Sequence, residues 1–113
     1  MLNQLVLVGR LTHDPETKIL EDGRKVAEFN LAVQRSFKNQ EGNYDTDFIK
    51  ISAWEGLANA IESYCKKGNM VAIKARVQSR KSEIAEVKLT TLEVIAERIS
   101  YLSAKQEEKS SEE

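Results

Sequence analysis

This sequence predicts a mainly β domain in which five strands close into a small barrel, with one α-helix between the third and fourth strands. Three observations lead to this fold class. Apolar and polar residues alternate with a period of two along most of the 113 residues, as they do in half-buried strands. The period changes to that of a helix only once, after Trp54. Turn residues separate the strand patterns. An open sheet with one helix packed on a face is the alternative.

The expected barrel strands cover residues 3–12, 25–37, 48–54, 70–81 and 87–102, and a short extended piece covers residues 17–20. In the first strand, Leu5 and Leu7 alternate with Val6 and Val8, so both faces are apolar. Such a strand is covered on two sides, by its own core and by something else, for which another subunit is one candidate. Gly9 within this pattern indicates a bend or bulge.

The third strand reads F-I-K-I-S-A-W from Phe48 to Trp54. One face carries Ile49, Ile51 and Ala53, and the other carries Phe48, Lys50, Ser52 and Trp54. The first set predicts a core face, and the second predicts a solvated face on which two aromatic rings flank a lysine. Aromatic rings on a basic, solvated face are suited to stacking nucleobases. Alternatively, Phe48 and Trp54 form a second small core under a loop or a subunit contact.

After Trp54, the apolar residues Leu57, Ala60, Ile61, Tyr64 and Cys65 follow helical spacing. Gly68 suits the position just past the end of this helix. Lys66 and Lys67 would then lie in the last turn, where the helix dipole favours cations. We expect Tyr64 and Cys65 to pack in the core.

The composition is that of an ordinary globular domain, with 41% hydrophobic and 31% charged residues. No apolar run is long enough to span a membrane, and the start lacks the features of a signal peptide. Cys65 has no cysteine partner, and one cysteine with one histidine is too few for a zinc site. We therefore expect a cytoplasmic protein with no membrane contact, no cofactor and no metal.

The net charge of −1 does not by itself favour nucleic-acid binding. Two of the 17 basic residues and four of the 18 acidic residues lie in residues 103–113, so the remainder is close to neutral. The distribution is more informative, because residues 66–81 contain six basic residues and no acidic residue. They are Lys66, Lys67, Lys74, Arg76, Arg80 and Lys81. This segment predicts a positive stripe, with a solvated strand face as the alternative.

Catalytic signals are weak. His13 is the only histidine and lies beside Asp14 in a predicted turn. Asp45 and Asp47 could suggest a metal site, but they lie in a predicted polar hairpin loop, where carboxylates are more often solvated or form turns. No phosphate-binding loop and no nucleophile with a matching base is recognisable. We do not expect an enzyme.

The order of three strands, one helix and two strands is that of the oligonucleotide/oligosaccharide-binding fold, the OB-fold. In that fold the outer face of the second and third strands binds the ligand. Phe37, Phe48, Lys50 and Trp54 would lie there.

Three segments then carry a resemblance: N-Q-L-V-L-V-G-R-L-T-H-D-P-E, V-A-E-F-N-L-A-V-Q-R-S-F-K and Y-C-K-K-G-N-M-V-A-I. Over about residues 1–102 the chain resembles the bacterial single-stranded DNA-binding protein family. The resemblance implies an OB-fold domain over residues 1–102, followed by a short charged, disordered tail over residues 103–113. It also implies a nucleoid-associated protein whose partner is single-stranded DNA and which forms a homotetramer, with a homodimer as the alternative.

The resemblance implies residue roles as well. Phe37, Phe48 and Trp54 match the family's stacking residues. The expected phosphate contacts are Arg35, Lys38, Lys50, Lys66, Lys67, Lys74, Arg76, Arg80 and Lys81. The first strand matches the family's subunit-pairing strand, through Asn3, Gln4, Leu5, Val6, Leu7 and Val8.

The chain departs from the family pattern in three places. In the hairpin between the fourth and fifth strands, members of the family often have an aromatic residue after T-R-x, whereas here Ser82 follows S-R-K. This hairpin also lacks the glycine-rich tip that is usual in the family. Ile49 lies at a position where some relatives have a side chain with a polar ring that supports tetramer contacts. The ending K-S-S-E-E lacks an acidic Ile-Pro-Phe-type tip, so we do not expect docking of replication proteins through such a tip. An OB-fold adaptor whose aromatics are buried against a protein partner is the competing hypothesis.

Overall fold

A computed structural model describes residues 1–103 of the chain. The elements are β1 (Leu5–Leu11), β2 (Glu16–Ile19), β3 (Lys25–Lys38), β4 (Tyr44–Trp54), α1 (Glu55–Tyr64), β5 (Met70–Ile84) and β6 (Val87–Tyr101). Residues 104–113, on which most of the predicted tail falls, lie outside the described part. Ser103, assigned to the tail from the sequence, is buried, and its hydroxyl accepts a hydrogen bond of 2.6 Å from the Met70 backbone N–H.

Five strands close into a barrel in the order β1, β5, β6, β4 and β3, with β1 and β3 paired to complete the ring. All pairs are antiparallel except β4–β6. The short β2 extends the sheet beyond β3, and α1 connects β4 to β5. The predicted fold class, a closed five-stranded OB-type barrel with one helix between the third and fourth barrel strands, is therefore confirmed.

The ring closes at Gly9. β1 pairs with β5 from Leu5 to Arg10 and then with β3 at Arg10 and Leu11. A Cβ atom on Gly9 would lie 2.3 Å from the carbonyl oxygen of Ala32, so only glycine allows the two backbones to approach this closely. Gly9, where the sequence predicts a bend or bulge, thus immediately precedes Arg10, the residue at which β1 changes partner.

The core lies inside the barrel and follows the alternation of the strands. Its largest buried side chains are Phe29, Leu31, Ile51, Val71, Ile73, Ile61 and Cys65. Ala58 and Ile61 of α1 complete one end, because they share the buried face of the helix. Burying each large aliphatic or aromatic side chain contributes about 1.5–3 kcal/mol.

The end of α1 differs from the expectation. The helix stops at Tyr64, so Lys66 and Lys67 lie in the following turn and not in its last turn. Gly68, with φ of +88°, belongs to that turn, in which the Asn69 N–H bonds the Lys66 carbonyl. Cys65 is buried as expected, but Tyr64 points outward and packs against Tyr101 with ring centroids 5.6 Å apart.

β5 and β6 are each 15 residues long and together form an arm that extends from the barrel. We define the arm as residues 79–92. The sequence pattern ends one strand at residue 81, begins the next at residue 87 and so predicts a turn between them, but the ladder continues to the Ile84–Val87 pair. The turn is only Ala85 and Glu86, with φ of 52° and 66°, the signature of a type I′ turn.

Candidate nucleic-acid interface

The outer face of β3 and β4 carries the predicted stacking residues. Cross-strand pairing aligns Trp54 with Val26, Ser52 with Glu28, Lys50 with Asn30 and Phe48 with Ala32, all on one face. Phe48 is 69% exposed, whereas Trp54 is partly buried at the other end of the row. The two residues are six steps apart along the strand, or about 20 Å, which leaves room for several nucleotides.

Phe37 lies near the end of β3 and is 62% exposed. It falls within the register shift between Gln34 and Lys38. Tyr44 stands opposite Lys38 at the start of β4, and the Lys38 ammonium lies 5.8 Å from its ring centroid. Sequence reasoning missed Tyr44 because it was assigned to a loop. A longer alternation through residues 44–48 would have extended the strand to it.

A groove follows the Trp54 half of this face. It consists of three adjoining depressions of about 440, 600 and 240 Å³, with the β2–β3 turn on one side and the base of the arm on the other. Its floor contains Ser52 and Ile95, which are 8% and 7% exposed although both face outward from the barrel. The expectation that Ser52 is solvated is therefore wrong, because flanking side chains cover this part of the face.

Two lysines in the groove share one carboxylate. The Lys50 ammonium lies 3.2 Å from Oε2 of Glu28, and that of Lys18 lies 3.7 Å from Oε1. Both lysine side chains are more than 60% exposed. Sequence reasoning identified Lys50 but missed Lys18 and Glu28, because cross-strand register brings them together.

At the Trp54 end, Arg24 of the β2–β3 turn covers the indole, with its guanidinium carbon 4.9 Å from the ring centroid. Asp22 accepts two hydrogen bonds from Arg24, one from the backbone N–H at 3.1 Å and one from Nε at 2.7 Å. Both bonds lower the pKa of the Asp22 carboxyl, and the bond from the backbone N–H has the larger effect. Neither residue was singled out in the sequence.

Arg35 is already paired. Asp47 accepts hydrogen bonds of 3.1 and 3.0 Å from Nε and Nη2 of Arg35, and the Asp45 carboxylate lies 3.7 Å from Nη1 of the same residue. The hydrogen bond from Arg35 lowers the pKa of Asp47, and the same bond raises that of Arg35. This guanidinium would have to exchange a carboxylate for a phosphate in order to contact DNA.

Comparisons with known proteins concern the family and the fold of the chain. The model of the single-strand binding protein family matches residues 2–102. The chain belongs to the single-strand binding protein family. It is 38% identical over 113 residues to single-stranded DNA-binding protein B of Bacillus subtilis (strain 168), covering 99% of this chain and 100% of that protein. The resemblance to this family, predicted from the sequence, is therefore confirmed.

Two further relatives extend the comparison. The single-stranded DNA-binding protein of Oceanobacillus iheyensis is 43% identical over 106 residues, which cover 93% of this chain but 66% of that protein. The chain thus spans just under two thirds of that relative's length. A structure described as Plasmodium falciparum SSB complex with ssDNA is similar with a TM-score of 0.78 and 27% identity, covering 90% of this chain and 96% of that one.

The predicted positive stripe is divided among several surfaces. Arg76 and Arg80 line the groove, although Arg76 also donates to Gln78 at 2.6 Å and lies 3.9 Å from Glu97. Lys74 pairs with Val6 and Arg98 on a different part of the barrel. The remaining cations lie elsewhere: Lys81 on the opposite face of the arm, and Lys66 and Lys67 in the turn after α1.

β1 has the two-faced character that its sequence predicts. Leu5 and Leu7 pack against the core, while Val6 and Val8 are 63% and 49% exposed. Asn3 is used within the chain, because its side chain bonds both the N–H and the carbonyl of Val77. Gln4 is exposed. Within residues 1–103, no second strand pairs with β1 between Leu5 and Val8 on the side away from β5.

His13, considered for catalysis, and Asp45 and Asp47, considered for a metal, each contact other groups of the protein. The ring Nδ1 of His13 lies 2.7 Å from the Asp14 carbonyl oxygen, and Asp45 and Asp47 are paired with Arg35. In the described part of the chain, no cluster of three or more potential ligands could hold a metal ion. No helix within residues 1–103 has the length and apolar character needed to cross a membrane.

Proposed function

We propose that this protein binds single-stranded DNA without strong sequence preference and protects single strands during replication, recombination, repair or DNA uptake. The observation that carries the proposal is a row of exposed rings and cations on β3 and β4: Phe37 lies at the far end, Phe48 is two residues from Lys50, and Lys50 lines a groove that also holds four further cations among residues 1–103. Family membership and the likeness to a structure described as a complex with ssDNA support it. No chemical step is required of any residue.

Base stacking supplies the sequence-independent part of the binding. Phe48 and Phe37 expose more than 60% of their surface, so each can receive a base with little rearrangement. Stacking on such a ring contributes roughly 1–3 kcal/mol per base and depends little on which base it is. Duplex DNA would bind poorly because its bases are already paired and stacked.

Phosphate contacts supply the salt-dependent part. Arg80 lines the groove and Lys38 lies at the exposed end of β3 beside Phe37, so these two are the strongest candidates. The remaining cations of this face would join them after giving up a carboxylate: Lys50, Lys18, Arg35 and Arg76. Lys66, Lys67, Lys74 and Lys81 fit only a strand that continues around the barrel or along the other face of the arm. Each phosphate that a cation neutralises on a single strand steepens the salt dependence by about 0.7 in log–log slope.

The proposal is tested by the fluorescence anisotropy of a labelled oligo-dT, with a duplex of equal length for comparison. Phe48→Ala and Phe37→Ala should each weaken binding by roughly fivefold or more. Tyr64→Ala is the matched control, because Tyr64 is 64% exposed but lies on α1 away from the groove. Equal loss in all three variants, or equal binding to duplex, would overturn the proposal.

We also propose that β1 joins protomers, giving a homotetramer through further contacts or a homodimer. The exposed Val6 and Val8 and the unpaired side of β1 support this assembly. Light scattering should give a mass above that of the 12.8 kDa chain. Val6→Glu with Val8→Glu should lower the mass, whereas Ile19→Glu, at a 71% exposed position on β2, should not. A monomeric unaltered protein would exclude the assembly.

A second candidate function, an adaptor in a replication or primosome-type assembly, is favoured by the tip of the arm. Ile84, Val87 and Leu89 lie on one face and are 64%, 56% and 42% exposed. An adaptor that binds protein through this patch would retain its partner at high salt. Binding to oligo-dT that falls steeply with salt would instead favour the first function.

A further inference from the structure

Trp54 does not present a bare ring to the groove. The Arg24 guanidinium lies over the indole at 4.9 Å, and the Arg24 side chain is still 57% exposed. The surface that an incoming base meets first at this end is therefore the outer side of the guanidinium. Both residues line the largest two depressions of the groove.

We propose that Arg24 contacts a base directly, so that an unpaired nucleobase forms the outer layer of a three-part stack of Trp54, Arg24 and base. The inference rests on the proposed function and deepens it. It assigns the stacking surface at this end to the β2–β3 turn and not to the indole alone. Guanidinium planes serve as stacking surfaces for unpaired bases, as aromatic rings do.

The contacts of Arg24 favour a base over a phosphate as its ligand. Asp22 accepts hydrogen bonds from both the backbone N–H and Nε of Arg24, and its carboxylate offsets the positive charge. A phosphate would meet this neighbouring negative charge. A base is uncharged and requires only the flat face, which the ion pair leaves open. Asp22 is thus a positioning residue, because its bond to Nε holds the guanidinium beside the Trp54 ring.

The same contacts favour a guanidinium that stays in place when DNA binds. To expose the indole, Arg24 would have to give up its cation–π contact with Trp54 and its Nε bond to Asp22 together. A base that stacks on the guanidinium keeps both contacts. Forming the three-part stack therefore adds the contact between the base and the guanidinium and breaks neither of the two existing contacts of Arg24.

Trp54 is the only tryptophan, so its emission reports whether a base touches the indole. The experiment titrates the unaltered protein, Arg24→Ala and Arg24→Lys with labelled oligo-dT, recording anisotropy for binding and tryptophan emission for contact. Arg24→Lys keeps the charge but removes the flat surface. Arg80→Ala serves as a control for a phosphate contact, with circular dichroism confirming that each variant is folded.

At saturation, both Arg24 variants should lose more tryptophan emission than the unaltered protein, because the base then reaches the indole. The salt slope of Arg24→Ala should match that of the unaltered protein, whereas that of Arg80→Ala should fall by about 0.7. Equal emission loss with and without Arg24, or a slope reduced by about 0.7 in Arg24→Ala, would overturn the proposal. Absence of any anisotropy change would instead refute the proposed function, and this inference with it.

Discussion

Glu28 acts as a local competitor for the phosphates that the groove is proposed to bind. It occupies Lys50 at 3.2 Å and Lys18 at 3.7 Å, one lysine on each carboxylate oxygen. Glu28→Gln removes the negative charge and keeps the shape of the side chain. Both lysines then become free for DNA, so we expect tighter binding of single strands.

The size of the gain follows from the exposure of the three groups. The lysine side chains are 66% and 62% exposed and that of Glu28 is 30% exposed, so each ion pair is worth at most about 1 kcal/mol. Releasing both should strengthen binding by roughly 1 kcal/mol, which is about fivefold in affinity. The log–log salt slope should steepen by up to about 1.4, or about 0.7 for each lysine.

Anisotropy titrations with labelled oligo-dT at several salt concentrations measure both quantities. Glu62→Gln is the matched control, because it removes the same charge from an ion pair with Lys25 outside the groove. Its effect should be much smaller. The reasoning fails if Glu28→Gln binds no more tightly than the unaltered protein. It also fails if Glu62→Gln produces the same gain, since the effect would then reflect net charge alone.

Three further predictions concern stability and reactivity. Gly9→Ala should lower the free energy of unfolding by about 1–3 kcal/mol in urea titrations, because its Cβ would meet the Ala32 carbonyl. Gly56→Ala, which meets open space, should not lower it, and equal losses would contradict the closure argument. Glu86→Gly should relieve the positive φ and raise the free energy of unfolding by up to about 1 kcal/mol, and a lower melting temperature would speak against this. Burial raises the pKa of Cys65 to about 11, so a thiol reagent at pH 8 should react far more slowly with the folded than with the urea-unfolded protein, and equal rates would refute it.

The sequence predicted the barrel because its signals are local. Alternation identified the inward residues of β3, β4 and β5, such as Phe29 and Ile51, since each strand has one face in the core. The change of period after Trp54 identified α1. The exposed apolar side of β1 followed from the same rule, because Val6 and Val8 alternate with core residues.

The parts that the sequence did not predict depend on which strands become neighbours. The contact of Arg24 with Trp54 requires the β2–β3 turn to fold back over β4. The burial of Ser52 requires β6 to pair with β4 in parallel, and the residue pattern within each strand does not predict this pairing. The length of the arm was underestimated because residues 82–86 contain few apolar side chains and therefore lack the alternation of a half-buried strand. The arm is a two-stranded ladder with both faces exposed, so its strands do not show that alternation.

The arm joins the barrel only through its base. Its side chains from Ser79 to Leu92 are almost all exposed, so pairs of residues can be added or removed at the tip without disturbing the interior. Because successive pairs point to opposite sides, deleting one pair would exchange the two faces beyond the cut, and deleting two would restore them. The reach of the arm can therefore change in evolution at little cost to the stability of the barrel, but only in steps of two pairs if the same face is to remain beside the groove.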